Sequence, residues 1–83
     1  MYRVIVSKRA SSSLKRIPRK YQSQIVLSLQ ELGEFPKIGK SLGRELSGKL
    51  SVRIGQFRVV YSINERDKKI VVLRIGHRSK IYN

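Results

Sequence analysis

The sequence predicts an α+β fold: a small, mostly antiparallel twisted sheet with an N-terminal helical hairpin packed on one face, in the order β-α-α-β-β-β. Three observations carry this reading. Apolar residues recur at helical spacing between Ala10 and Leu32. Three later segments, 50–54, 57–63 and 70–75, are rich in β-branched residues and are separated by turn residues. The 83 residues allow one small core, so a single domain over 1–83 is expected.

Tyr2 to Val6 is aromatic and β-branched and predicts the first strand. Ser7 is placed to cap a short helix whose Ala10, Leu14 and Ile17 share one face. Pro18 breaks it and suits the first turn of a second helix. There Tyr21, Ile25, Leu29 and Leu32 form a stripe, and Gly33 is expected to stop the helix. The hairpin over 8–33 thus has one apolar face and a basic outer face. Tyr2, Tyr21 and Phe35 are assigned to the core or its rim. Residues 34–49, punctuated by Pro36, Gly39, Gly43 and Gly48, predict a loop. Three strands follow: Leu50–Ile54, Phe57–Ile63 and Ile70–Ile75. The last is nearly continuous in apolar residues, as in a strand covered on both sides. Gly55-Gln56 fits a two-residue hairpin with glycine first, and Asn64–Lys68 a polar turn.

Charge narrows the function. Nineteen Lys and Arg oppose five acids, for a net charge of +14, while 40% hydrophobic content excludes a disordered basic tail. A folded chain that accepts this self-repulsion points to a polyanionic partner, nucleic acid first. Residues 1–30 and 68–83 contain no acid at all. With no cysteine and one histidine, neither a disulfide framework nor a metal or cofactor site is expected. No apolar run approaches the roughly 18 residues of a membrane span, and no signal peptide is evident, so a cytoplasmic protein is expected.

The hairpin register concentrates the chemistry. With Gly55-Gln56 as the turn, Ile54 faces Phe57, Arg53 faces Arg58, Val52 faces Val59, and Ser51 faces Val60. Two arginines directly opposite each other repel. They could splay into water, or they could wait for an anion. Arg74 adds a cation to an otherwise apolar strand. The tail from Gly76 then supplies His77, Arg78, Ser79, Lys80 and Tyr82 within seven residues. The acids are scattered, which disfavours a glycosidase pair or a hydrolase triad. RNA backbone cleavage fits better. Arginine forks stabilise a pentavalent phosphate, a histidine can move a proton, and a tyrosine can stack on a base. Lys8, Lys15, Arg16, Arg19, Lys20, Lys49, Arg74 and Lys80 are expected to contact RNA.

The stretch Leu50-Ser51-Val52-Arg53-Ile54-Gly55-Gln56-Phe57-Arg58-Val59-Val60-Tyr61, with Ile75-Gly76-His77-Arg78-Ser79-Lys80-Ile81-Tyr82, resembles the RelE/ParE superfamily of toxins, its RelE branch most. The element order agrees over nearly the whole chain. The resemblance implies a type II toxin–antitoxin module whose toxin is a metal-independent mRNA interferase acting in the ribosomal A site by 2′-hydroxyl attack. It implies as partners an acidic, RelB-like cognate antitoxin, with a heterotetramer among the assemblies it admits. It also implies the 70S ribosome, through 16S rRNA and mRNA. Carried over by position, Arg53, Arg58 and Arg78 would contact the scissile phosphate, His77 would serve as base or acid, and Tyr82 would stack on the codon. Ser51 departs from the pattern, because some relatives have lysine there. The alternatives are a ParE-like inhibitor of DNA gyrase, which shares the fold and cuts nothing, and a plain basic nucleic-acid-binding domain.

Overall fold

The computed structural model describes residues 1–42 and 48–81. Strand β1 (Arg3–Val6) leads into helix α1 (Lys8–Arg16) and helix α2 (Arg19–Glu34). Strands β2 (Lys40–Leu42), β3 (Lys49–Ile54), β4 (Phe57–Asn64) and β5 (Lys69–His77) follow. The five strands form one sheet in the order β1-β5-β4-β3-β2. β1 runs parallel to β5, and every other pairing is antiparallel.

The helix ends follow local chemistry. The Ser7 side chain accepts the Ala10 N–H at 3.1 Å, so it caps α1. Pro18 occupies the N-cap of α2 and separates the helices. Gly33 does not end α2, which runs on to Glu34. Its role is close approach. The Tyr2 N–H donates to the Gly33 carbonyl at 2.8 Å, and a Cβ at Gly33 would lie 3.0 Å from the Tyr2 carbonyl. The missing side chain lets α2 sit against β1.

The helices cover one sheet face. Ala10 and Ile17 of the α1 segment join Ile25, Leu29 and Leu32 of α2 over Val59, Tyr61, Ile70, Val72 and Ile75. The hairpin has the expected register, with Gly55 at φ +59° in the turn. Two expectations need correction. Residues 34–49 are not wholly loop, because Lys40–Leu42 pair with Lys49–Ser51 and add a fifth strand at the sheet edge. Phe35, the C-cap residue of α2, is 60% exposed and outside the core.

What ties that segment down is Tyr61, which is fully buried. Its hydroxyl donates to the Pro36 carbonyl at 2.7 Å and accepts the Gly39 N–H at 2.9 Å. Burial pushes its pKa above the ordinary 10.0, against a lowering by the Gly39 N–H. Gly39 has no side chain because a Cβ there would collide with the Tyr61 hydroxyl.

Candidate nucleic-acid interface

Strand alternation decides which side chains share the uncovered face. Directly paired residues of antiparallel strands lie on one face, so Arg53 and Arg58, Ser51 and Val60, and Lys40 and Ser51 all belong there. Lys49, two residues before Ser51, joins them. So does Arg74, which pairs with Val60 after β5 skips one position at Leu73. None of the five strands contains an acidic residue. The uncovered face is therefore a cationic plate.

The opposed arginines are held apart by different acceptors. The Arg53 Nε donates to the Gly55 carbonyl at 3.2 Å, which curls that side chain back over the turn. The Arg58 Nη1 donates to the Ser51 Oγ at 3.0 Å. Ser51 is 2% exposed and anchored in the sheet, so it orients a half-buried guanidinium over the open face. The position that departs from the family pattern is thus an orienter of Arg58.

His77 is on the other face. It closes β5 opposite Phe57, and the two rings meet edge to face at 5.9 Å. Phe57 in turn tilts against Tyr21 of α2 at 5.4 Å. The expected cluster of His77 with Arg53 and Arg58 is therefore split by the sheet. The His77 Nδ1 accepts the Ser79 N–H at 3.2 Å and contacts the Ser79 Oγ at 2.8 Å. The Ser79 contacts hold the ring in place at the end of β5.

Arg78 is exposed, and its N–H donates to the Gln56 carbonyl at 2.9 Å, which keeps the tail tied to the hairpin turn. Ile81 folds back and is buried against Gly76. Tyr82 lies outside the described residues. Lys8, Lys15, Arg16, Arg19 and Lys20 are all exposed on the helices, and Lys80 is exposed in the tail. Reading the sequence alone missed Lys40. Its strand, Lys-Ser-Leu, is three residues long and has no alternation to mark it.

Residues 4–82 match the family model described as the ParE toxin of type II toxin–antitoxin system, parDE. This chain belongs to the RelE/ParE family of type II toxins. Toxin RelG of Mycobacterium tuberculosis is 34% identical over 83 residues, covering 98% of this chain and 95% of RelG. Toxin RelE of the same organism is 31% identical, covering 98% of this chain and 86% of that protein. The crystal structure of the toxin–antitoxin complex RelBE2 from M. tuberculosis superposes with a TM-score of 0.88 at 33% identity, covering 93% of this chain and 98% of that one. These whole-length relatives are of the RelE kind, so this RelE/ParE family member is a RelE-type toxin of a type II system, and the ParE-like alternative gives way.

Proposed function

We propose that this RelE-type toxin is a ribosome-dependent endoribonuclease that cleaves mRNA in the A site. Its cognate antitoxin is acidic and silences it. The observation that carries the reading is the Arg58 guanidinium, fixed by Ser51 beside Arg53 on an acid-free sheet face.

In the reaction, the 2′-oxygen gives its proton to His77 or to solvent water and bonds to phosphorus. The P–O5′ bond breaks, the 5′-oxygen leaves with a proton, and a cyclic 2′,3′-phosphate remains. Negative charge gathers on the phosphoryl oxygens in between. Arg53 and Arg58 stabilise that charge as preorganised forks, with Lys49 extending the clamp along β3. Arg78, at the end of the hairpin, is assigned to the same phosphate. His77 follows Gly76, which lies opposite Arg58. RNA rounding the end of β5 meets both faces, and His77 is assigned to proton transfer there, as base at the 2′-oxygen or as acid at the 5′-oxygen. Tyr82 is assigned to stack on the codon, a role that tolerates any base.

Removing one such phosphate donor costs about 10²–10³ in rate. Arg58→Ala is therefore expected to lose A-site cleavage by that factor while keeping its circular dichroism spectrum. Primer extension on translated mRNA measures it. An Arg58→Ala protein that cuts as fast as wild type would remove Arg58 from the reaction.

A further inference from the structure

A second cationic hollow lies beside the plate. β1 pairs with β5 only as far as Val72, and α1 then takes its place along the strand. The Ser7 N–H donates to the Val72 carbonyl, and the Ser7 hydroxyl donates to that of Leu73. Between α1 and the remainder of β5 is a cavity of about 350 Å³. Arg9, Ser12, Ser13 and Arg16 line it from α1, Arg74 from β5, and Lys80 from the tail. Among the described residues, no carboxylate lies within ion-pair distance of these four cations.

Helix α1 therefore carries two stripes, one packed on the core and one open to the cavity. Ala10, Leu14 and Ile17 meet the core. Residues 9, 12, 13 and 16 are spaced three, four and seven apart and present a polar stripe to the cavity. Arg16 suits the negative end of the α1 dipole, but Arg9 sits in the first turn, where the dipole opposes a cation. Arg74 is half-buried among like charges. These placements gather like charges around one cavity, and a bound anion would be attracted by all of them. Serine hydroxyls beside arginine forks suit phosphate oxygens.

We propose that this notch is a second phosphate subsite, which holds a backbone phosphate of the RNA strand next to the one held over Arg58. The inference rests on the RNA-cleaving reading. Continuity favours a polymer of repeated charge. Gly76 lines the notch and also lies opposite Arg58 in the sheet. Lys80 lines both the notch and the neighbouring hollow that contains His77 and Phe57. The anion positions thus form a row from the plate, past the end of β5, to α1.

The test compares two variants that each lose two charges. Arg9→Ala/Arg16→Ala empties the notch, and Arg3→Ala/Lys69→Ala removes a neighbouring pair from the far end of β5. Binding of a labelled 2′-O-methyl RNA 12-mer, which lacks the nucleophile, is followed by anisotropy from low to high NaCl. The notch variant is expected to weaken binding roughly 20-fold at 0.1 M salt and to lower the salt slope by about 1.4, with a much smaller change in the control. Ser12→Glu, which sets an anion in the notch from an exposed helix position, is expected to weaken binding in the same direction. Equal losses in the two double variants would reduce the notch to diffuse charge and overturn the subsite. So would unchanged RNA affinity together with lost binding of an acidic antitoxin peptide. Wild-type cleavage of translated mRNA separates the two levels. If wild type cuts nothing, the RNA-cleaving reading fails, whereas cutting with unchanged notch-variant binding sinks the subsite alone.

Discussion

Single side chains set both the chemistry and the frame that holds it. Arg58 is half-buried and hydrogen-bonded to Ser51, so its guanidinium would lose little freedom on holding the proposed phosphate. Tyr61 performs the corresponding structural task, because its hydroxyl bridges Pro36 and Gly39 from inside the core. Tyr61→Phe leaves the ring in place and strips both backbone groups of that partner, a loss of about 1–3 kcal/mol in chemical denaturation. The pH dependence follows from the raised pKa. Below pH 10 the folded and unfolded chains both hold the phenolic proton, and the stabilisation is complete. As pH rises beyond 10, the unfolded tyrosine ionises first, and stability falls until the folded group also titrates. The stability difference between wild type and Tyr61→Phe is therefore expected to shrink above pH 10. A difference that grows there would contradict the burial argument.

At the scale of elements, the β3–β4 hairpin fixes the spacing of the arginine pair. Gly55 adopts φ +59° with open space where a Cβ would sit, so Gly55→Ala tests backbone strain without a clash. An L-residue in that region costs about 1–2 kcal/mol, to be read from the denaturation midpoint. The hairpin was legible in the sequence because glycine anchors the turn and one anchor sets every pair that follows, Arg53 with Arg58 included. The stripes of α1 and α2 were legible for the same reason, since Ile25, Leu29 and Leu32 repeat on one face. Other features depended on distant partners. β2 has three residues, and only its pairing with β3 makes it a strand. Gly33 resembles a helix stop until Tyr2 is seen packed on it. His77 is near Arg78 in the chain, yet alternation and the skipped Leu73 set its ring against Phe57, which in turn packs on Tyr21. The notch is invisible in sequence because it exists only where β1 ends and α1 replaces it.

For the molecule as a whole, the charge of +14 is unevenly used. The helices and tail spread an exposed basic field, while the sheet face holds a few oriented cations. If RNA binds this field as proposed, counterion release makes its affinity fall by about 300-fold or more between 50 and 200 mM salt once six or more phosphates are engaged. A filter-binding titration checks this, and a flat salt response would exclude the field as the source of affinity. No helix among the described residues is long and apolar enough to cross a membrane. The same positive surface would complement the acidic antitoxin proposed above. The central claim is that the sheet-face arginines cut translated mRNA. Primer extension on mRNA undergoing translation tests it most directly, with wild type and Arg58→Ala compared in parallel. The prediction is cleavage within A-site codons by wild type and a loss of about 10²–10³ in rate for the variant. Intact mRNA with wild-type toxin, accompanied by trapped gyrase–DNA complexes, would contradict it.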